Sequence, residues 1–453
     1  MKILFISNGY PPRQWAGTET YTAGIAQELD RQGHEVQVLC GGDWQEGPEY
    51  WNGYTDEFYH DIPVRRLNFN WTKAPDPFRY LYADPVVAEF LSGYLDELQP
   101  DLVHVTSCDI LSANILGVVK EAGLPLVLSL TDFWFLCPRW NLLRSDGENC
   151  TGVTTDWECL SCNLYDEKVY NWPNLILPEA IVSRVLTTFS KYPVLTRQRG
   201  LRGMAGDMAD RKEYLLKALE LPDYRITAST FVRDIFLENG VVAPIKVQAY
   251  GHDLSWLDDY TGKTPSPVIR FGFIGQISHS KGVHLLLQAV RLLEESGYQK
   301  EMNLSIYGDL GHDPTYSEML QDLASNMPDV QFKGTYSHDQ SAEIFAGIDI
   351  LVVPSLWYDF PLVIREAFAS NTPVIATNLG GMAEAVEHEI SGLLFERDDA
   401  EDLARQLQRI IDEPQLLEYL QDGLPPVKSI TEEVGELQEI YYDLMAEVSQ
   451  PLS

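Results

Sequence analysis

Short apolar runs alternate with amphipathic stretches from the start of the chain. Ile3–Ile6 and Val36–Leu39 are continuous apolar runs, and the residues between them place apolar side chains on one helical face from Tyr21 to Leu29. Continuous runs are typical of strands buried on both faces, and apolar spacings of three and four indicate a helix. The first forty residues therefore predict two parallel strands joined by a right-handed helical crossover.

The same alternation continues in two series, which a turn-rich segment at residues 261–267 separates. Two such series predict an α/β protein with two Rossmann-like domains facing a cleft. We expect an N-terminal domain over residues 1–250, a linker over 251–267, a second domain over 268–425 and an amphipathic final helix within 426–453. The apolar runs that support this division are Leu102–Val105, Leu126–Leu130, Val247–Tyr250, Val268–Phe273, Leu304–Tyr307, Val330–Lys333, Ile350–Val353 and Val374–Ala376.

The candidate chemistry is concentrated in the second series, between residues 354 and 392. Pro361 opens a helical pattern, Val374–Ala376 is a buried strand, and a second helical pattern follows Gly381. Two helix N-termini should therefore open at one edge of a parallel sheet, which is where α/β folds bind anions. Glu366 lies one turn inside the first helix, where its carboxylate could bind hydroxyl groups beside a phosphate.

This segment resembles the donor-site signature of the GT-B glycosyltransferases. The resemblance is to the large retaining family called glycosyl transferases group 1, or family 4, which includes sucrose-phosphate synthases and bacterial mannosyl- and glucosyltransferases. The family pattern is Glu-x7-Glu, then Gly-Pro-Val, then Gly-Gly-x-x-Glu. Glu366 matches the second Glu, and residues 380–384 match the later loop. Tyr358 occupies the position of the first Glu, so either Asp359, one residue later, replaces it or that role is lost.

A second motif, GQISHSKG from Gly275 to Gly282, follows an apolar run and precedes a helical pattern. It resembles the family's Gly-Arg-Leu-x-x-x-Lys-Gly, in which the Arg and the Lys clamp the diphosphate of the donor. Lys281 matches the Lys, whereas Gln276 replaces the Arg and leaves a hydrogen-bond donor without a charge. Negative charge builds on the leaving diphosphate as the glycosidic bond breaks, so a cation here would lower the barrier. A solvated loop lysine is the alternative explanation.

Smaller matches extend the expected donor site. Gly308 follows a predicted strand, where the lack of a side chain would let a nucleotide base approach the backbone. Gly17 lies in a stretch that resembles the family's Gly-Gly-x-x loop, with Ala16 in place of the first Gly. Ordinary turn glycines would explain both positions. The backbone N–H groups that could bind sugar or phosphate oxygens are those of Phe360, Leu362 and Val363.

The N-terminal series offers fewer candidates. Asp132 ends a predicted strand at the edge where we expect the acceptor. Many relatives carry His-Asp there, with the His contacting the donor sugar, but this chain has Thr131 in the His position. Arg139, close behind, could bind an anion on the acceptor side. His104 lies inside a predicted strand, where a histidine is usually a buried and hydrogen-bonded group.

The resemblance implies an enzyme that moves a hexose from a UDP- or GDP-sugar to a hydroxyl of a sugar or lipid-linked glycan, with retention of configuration, in polysaccharide or glycan biosynthesis. It assigns catalysis to Asp132, Lys281, Asp359 and Glu366, with the leaving phosphate taking the acceptor's proton and no catalytic metal. It also implies that the final helix crosses back to the first domain. Two other classes stay open: a binding or scaffold protein without transfer activity, and a phosphorylase, for which no strong pyridoxal phosphate lysine is present.

Four of the six cysteines cluster with the spacing C-x12-C-x8-C-x2-C. A closing Cys-x-x-Cys supplies two thiolates to one metal and two earlier cysteines complete a tetrahedron, so the spacing predicts structural zinc. An iron–sulfur cluster and metal-free thiols are the alternatives, and similar cysteine-bearing loops occur in a subset of the family. Cys40 and Cys108 should be small core residues. The four clustered residues are Cys137, Cys150, Cys159 and Cys162.

Charge bounds the partners. A net charge of −34 argues against nucleic acid, since a phosphate backbone requires a positive surface. The apolar start MKILFIS is too short for a signal peptide, and a bilayer span needs about 18 apolar residues in a row, so we expect a cytoplasmic protein. A basic stretch over 184–217 could contact the inner face of a membrane or be a solvated helix face. Its cations are Arg184, Lys191, Arg197, Arg199, Arg202, Arg211, Lys212 and Lys217.

Overall fold

The computed structural model describes residues 1–164, 204–298, 301–358 and 360–448, together with residues 178, 181, 182, 184, 185 and 188. The chain divides into two compact units. Unit 1 combines Met1–Tyr250 with Ile430–Ser453, and unit 2 is Gly251–Ser429. The chain thus leaves unit 1, builds unit 2 and then returns to unit 1.

Unit 1 contains, within its described residues, an eight-stranded sheet in the order β3-β4-β2-β1-β5-β6-β7-β8. Only β3 runs antiparallel to its described neighbour. The central strands are short Val, Leu and Ile runs with both faces buried, as a parallel sheet covered by helices requires. The strands are β1 Lys2–Ser7, β2 Glu35–Trp44, β3 Trp51–Tyr59, β4 Ile62–Phe69, β5 Leu102–Val105, β6 Leu126–Ser129, β7 Tyr224–Thr227 and β8 Lys246–Val247.

The final helix, Ile430–Val448, packs against the first helix of unit 1, Gly17–Arg31. The Tyr21 hydroxyl donates to the buried Glu433 carboxylate at 2.9 Å. This contact confirms that the last helix returns to the first domain. The described helices of unit 1 before it are α1 Gly17–Arg31, α2 Pro77–Tyr80, α3 Pro85–Leu98, α4 Asn114–Glu121, α5 Asp156–Leu164, α6 Met204–Ala218 and α7 Thr230–Glu238.

His104 on β5 joins the sheet to the final helix. Its Nδ1 lies 2.6 Å from the Tyr441 hydroxyl and its Nε2 lies 2.8 Å from Ser129 Oγ. Burial lowers the pKa of His104 to about 3, so the ring is neutral at physiological pH. The prediction of a buried, hydrogen-bonded histidine is confirmed. Cys40 and Cys108 are buried core residues, also as predicted.

The hairpin β3–β4, which the apolar pattern did not predict, forms one edge of this sheet. Arg66 on β4 is fully buried at its centre. Its guanidinium donates to the Tyr10 carbonyl at 2.8 Å, the Pro11 carbonyl at 3.0 Å and the Glu57 carboxylate at 2.5 Å. Arg66 therefore holds the loop after β1 to the hairpin.

Unit 2 is a second α/β layer structure, whose described strands form a parallel sheet in the order β11-β10-β9-β12-β13-β14. Leu286 and Leu287 from the first helix pack under it with Phe271 from the first strand. The strands are β9 Ile269–Ile274, β10 Met302–Tyr307, β11 Val330–Gly334, β12 Ile350–Val353, β13 Val374–Thr377 and β14 Gly392–Phe395. The helices are α8 Val283–Glu295, α9 Pro314–Ala324, α10 Ser341–Ala346, α11 Val363–Ala369, α12 Gly380–Ala385, α13 Ala400–Asp412 and α14 Pro414–Asp422.

The two mostly parallel α/β sheets confirm the predicted fold class. The last strand of unit 1 is Lys246–Val247 rather than Val247–Tyr250, because the chain turns so that the Tyr250 ring stacks on Tyr21 with 3.9 Å between centroids. Much of the basic stretch over 184–217 lies outside the described residues, so its membrane contact stays a prediction. In the described part of the chain, no helix is both long and apolar enough to cross a bilayer.

Candidate active site

The loops after β9, β10 and β12 touch at the carboxyl edge of the unit 2 sheet. Gly282 has a φ of +71°, and a Cβ there would lie 1.9 Å from the Pro354 carbonyl oxygen. A Cβ on Gly308 would lie 2.2 Å from the Gly275 carbonyl oxygen. These two glycines are therefore required by close backbone approach, and the predicted Gly275–Gly282 motif is packed against its neighbours rather than extended into solvent.

Lys281 lies in this loop cluster beside an aromatic ring. Its Nζ is 5.6 Å from the centre of the Trp357 ring, within the range of a cation–π contact. The Leu356 N–H donates to the Ser280 carbonyl at 2.8 Å, which ties the two loops together. Trp357 Nε1 is buried and has no hydrogen-bond acceptor among the described residues. Gln276, in the same motif, is exposed.

Sequence reasoning missed Arg397. It follows β14, and its Nε donates to the Leu356 carbonyl at 2.7 Å. A second cationic side chain, besides that of Lys281, therefore lies close to this loop cluster. The only available signal was its position just after a buried strand at the carboxyl edge of the sheet. Thr377, at the end of β13, has a buried hydroxyl with no partner among the described residues.

Glu366 lies on α11, recessed from solvent. Burial raises its pKa to about 7, and the charge of Asp253 adds to the rise. The carboxyl of Glu366 in turn contributes to the raised pKa of the nearby Tyr336, after burial itself. A recessed carboxyl with a perturbed pKa is typical of a functional site. Asp253 and Tyr336 were not predicted, because neither lies within the Glu366 or Lys281 motifs in the sequence.

The other predicted donor residues have mixed surroundings. Helix α11 begins at Val363, so the N–H groups of Phe360, Leu362 and Val363 precede its first complete turn. Asp359 lies outside the described residues. Gly17 begins α1 in unit 1, and a Cβ there would meet no atom within 4 Å. The packing of unit 1 therefore gives no steric reason for glycine at position 17.

Unit 1 has its own group of titratable residues at the carboxyl edge of its sheet. Asp132 accepts a hydrogen bond from the Trp134 N–H at 2.8 Å, and burial raises its pKa to about 6. Burial also raises the pKa of Asp109 to about 7, with the charge of Asp132 as the next cause. Sequence reasoning missed Asp109, although it lies shortly after the predicted strand Leu102–Val105, a position where ligand residues are common.

The four clustered cysteines line one small pocket, together with Arg139 and Arg144. Arg139 donates to the Cys162 carbonyl at 3.4 Å, so its guanidinium lies among the cysteines. None of the six cysteines is in a disulfide. However, in the described residues no three His, Cys, Asp or Glu side chains are grouped closely enough to hold a metal ion. The thiols therefore share a pocket but do not form a closed metal site as they are placed.

The structure thus brings Gly275, Lys281, Gly308 and Glu366 to the carboxyl edge of one sheet, in unit 2. Asp132 lies at the corresponding edge of unit 1. Two α/β units of this kind, each with a mostly parallel sheet, define the class of two-domain Rossmann-like folds, which bind their ligands at the carboxyl ends of the strands.

Two family descriptions match the chain. Residues 262–423 match "Glycosyl transferases group 1", and residues 16–147 match "Glycosyl transferase 4-like domain". With the fold, these matches show that the chain belongs to the GT-B glycosyltransferases.

Individual relatives support the family. An uncharacterized glycosyltransferase of Methanocaldococcus jannaschii is 22% identical over 431 residues, which cover 93% of this chain and 91% of that protein. A D-inositol 3-phosphate glycosyltransferase of Streptomyces bingchenggensis is 34% identical over 157 residues, which cover 33% of this chain and 34% of that protein.

Solved structures share the fold over nearly the whole chain. Sucrose-phosphate synthase from Thermosynechococcus elongatus aligns with a TM-score of 0.65 at 17% identity, covering 99% of this chain and 100% of that one. Anabaena HepE in complex with UDP and glucose aligns with a TM-score of 0.62 at 19% identity, covering 98% of this chain and 100% of that one. At these identities the likeness establishes the fold.

Proposed function

We propose that this glycosyltransferase is a retaining enzyme that moves a hexose from a nucleotide diphosphate sugar, UDP- or GDP-linked, to a hydroxyl acceptor in polysaccharide or other glycan biosynthesis. Unit 2 binds the donor. The observation that carries the proposal is the packed loop cluster of unit 2, in which Lys281 lies over Trp357 at the sheet edge where the recessed Glu366 also lies.

Each of these residues has a definite task in the reaction. The bond between the anomeric carbon and the diphosphate oxygen breaks, and a bond from the same carbon to the acceptor oxygen forms. The proton of the acceptor hydroxyl passes to the leaving phosphate oxygen. Lys281 neutralises the charge that develops on the diphosphate, where a preorganised cation is most effective. Glu366 accepts hydrogen bonds from the ribose hydroxyls. The buried Trp357 Nε1 donates a hydrogen bond to an oxygen of the nucleotide sugar.

The comparisons favour particular donors. HepE, which shares the fold, binds UDP and glucose, and this supports a UDP-hexose as the first donor to test. Asp359, outside the described residues, takes the role of the first Glu of the family pattern in this proposal. Asp132 and Arg139 belong to the acceptor side in unit 1.

Nucleotide binding tests the donor site directly. We expect one of UDP, GDP and ADP to raise the melting temperature of the full chain selectively, since a ligand at a hundred times its Kd adds about 2.7 kcal/mol of stability. Lys281→Ala should weaken diphosphate binding roughly 10- to 100-fold, because a hydrogen bond to a charged group is lost. Lys333→Ala, which changes an exposed lysine of β11, is the matched control.

The transfer step needs its own readout. Incubation with the selected nucleotide sugar should release nucleotide diphosphate, and NMR of a product should show the anomeric configuration of the donor. Selective binding without release, and without transfer to any acceptor, would favour the alternative of a binding or scaffold protein. That alternative has a specific basis in the losses at Ala16, Thr131 and Gln276 relative to the family pattern. Inversion of configuration would refute the retaining mechanism.

We also propose structural zinc at the four clustered cysteines. The spacing and the shared pocket support it, and the pocket includes Arg139 and Arg144, whose charges would balance thiolates. Closing the site requires the thiols to converge further than they do here. The zinc would order the loop after Asp132 and take no part in transfer.

A further inference from the structure

Three carboxyl side chains form a cluster, here called the carboxyl cluster, at the carboxyl edge of the unit 1 sheet. Strands β1 and β5 are neighbours, and the crossover after β1 leads to β2 on one side whereas the crossover after β5 leads to β6 on the other. In open α/β sheets, ligands bind at such a point. Glu19 comes from the first turn of α1, Asp109 from the loop after β5, and Asp132 from the loop after β6.

Several oxygens at this edge of the sheet are buried without a hydrogen-bond donor among the described residues. Glu19 is only 9% exposed, and its Oε2 has no partner among the described residues. The same holds for Asp109 Oδ1 and for the Oγ of Ser7 at the end of β1. Buried polar atoms are nearly always paired, so these oxygens call for donors from outside the chain.

The electrostatics of the carboxyl cluster specify what those donors can be. Burial raises the pKa of Asp109 to about 7, and the charges of Asp132 and then Glu19 raise it further. Glu19 likewise raises the pKa of Asp132. Arg211 opposes this effect at Asp132, but its guanidinium is already bonded to the Trp134 carbonyl and lies over the Trp134 ring at 5.3 Å. Above about pH 7, where Asp109 and Asp132 are ionised, the carboxyl cluster therefore has an excess of hydrogen-bond acceptors and negative charge.

We propose that Glu19, Asp109 and Asp132 bind the acceptor substrate through its hydroxyl groups and select an acceptor that carries no phosphate or carboxylate at that end. Vicinal hydroxyls of a neutral sugar supply the missing donors, and each hydrogen bond to a carboxylate is a strong one. A phosphate group would bring a like charge next to the poorly solvated carboxylates of this cluster, which repel it. This inference rests on the proposed function, because it names the acceptor class of the same enzyme.

Ligand-detected NMR tests the inference without turnover. The full chain, saturated with the nucleotide that it binds, is titrated with methyl glucoside, methyl mannoside and methyl galactoside, and with the 6-phosphates of the three sugars. We expect at least one neutral glycoside to bind at least tenfold more tightly than its phosphorylated counterpart. Asp109→Asn and Glu19→Gln should each weaken that glycoside roughly tenfold, since a charged acceptor is lost. In each variant, the ratio of the affinity for the neutral glycoside to the affinity for its 6-phosphate should also fall.

Glu121→Gln, an exposed acid at the end of α4, is the control variant and should leave both affinities unchanged. The melting temperature and the nucleotide affinity of each variant report whether its fold is intact. Equal or tighter binding of the sugar phosphates would overturn the inference, as would folded variants with unchanged glycoside affinity. Failure of all neutral glycosides to bind, while nucleotide still binds, also overturns it and leaves the proposed function standing. Failure of nucleotide binding refutes the proposed function instead.

Discussion

The ionised carboxylate of Glu366 should lower the free energy of unfolding at pH 8. Burial raises its pKa from the usual 4.5 to about 7, so at pH 8 the folded chain must hold a carboxylate in a poorly solvated place. One pH unit of pKa difference corresponds to about 1.4 kcal/mol, which gives an upper value of about 3 kcal/mol for this group. Glu366→Gln keeps the shape of the side chain and removes the charge.

The sign follows from proton binding. Between pH 4.5 and about 7 the folded state holds a proton on Glu366 that the unfolded state has lost, so stability falls as the pH rises through this window. The penalty is absent below pH 4.5 and complete above about pH 7. We therefore expect apo Glu366→Gln to be more stable than the wild type at pH 8, by up to about 3 kcal/mol. Near pH 4.5 the two should be equally stable.

Thermal and urea unfolding of the full chain at pH 5 and pH 8 measure the effect. For a unit of this size, 1 kcal/mol moves the melting temperature by about 2–4 °C, so the difference at pH 8 should be several degrees. Glu318→Gln, an exposed acid on α9, should show no comparable pH-dependent gain. The same Glu366→Gln variant should also be stabilised less by nucleotide, because the amide offers the proposed ribose contact one uncharged oxygen in place of a charged carboxylate. The reasoning would be refuted if the difference in free energy of unfolding between Glu366→Gln and the wild type were the same at both pH values. It would also be refuted if the variant were less stable than the wild type at pH 8.

Three further outcomes are expected. Gly282→Ala places a Cβ 1.9 Å from the Pro354 carbonyl oxygen and should lower the free energy of unfolding by more than about 2 kcal/mol in urea denaturation; Gly17→Ala, with no atom within 4 Å, should change it by less than about 1 kcal/mol, and equal losses would contradict this account. Tyr441→Phe leaves the buried Nδ1 of His104 without its hydrogen-bond partner and should cost about 1–2 kcal/mol, whereas the exposed Tyr442→Phe should be neutral; a neutral Tyr441→Phe would contradict this. Elemental analysis of protein purified without chelator should find one zinc per chain, lost in Cys159→Ser and kept in Cys40→Ser; metal-free wild type would end the zinc proposal.

The sequence predicted the α/β alternation because each buried parallel strand is a continuous apolar run with its helix close behind it. Val374–Thr377 is an example, with both faces buried and α12 following at once. The hairpin β3–β4 has no such pattern. Its edge strand mixes polar and aromatic residues without a regular period, and Arg66 is buried only because Tyr10, Pro11 and Glu57 surround it from other elements. No local rule predicts a fully buried arginine.

The same division applies to the candidate site. Lys281 and Glu366 belong to short motifs, so a local match was enough to propose them as site residues. Asp109 and Arg397 gain their importance from which strands are neighbours, since β5 lies beside β1 and β14 lies beside β13. That neighbourhood is a property of the folded sheet and is not visible in the spacing of residues along the chain.

The return of the chain to unit 1 reverses the usual order of folding during synthesis. The final helix supplies Glu433 and Tyr441, which complete a core made otherwise from residues 1–250. The ribosome must finish all of unit 2 before this helix emerges. Until then, the N-terminal unit exposes the apolar surface that the helix later covers, whereas the continuous unit 2 can already fold. Domains generally fold from the N-terminus onward, and exposed apolar surface invites aggregation. In this protein the first unit to be synthesised is the last to complete its core. A nascent chain stalled within unit 2 should therefore depend on chaperones to avoid aggregation.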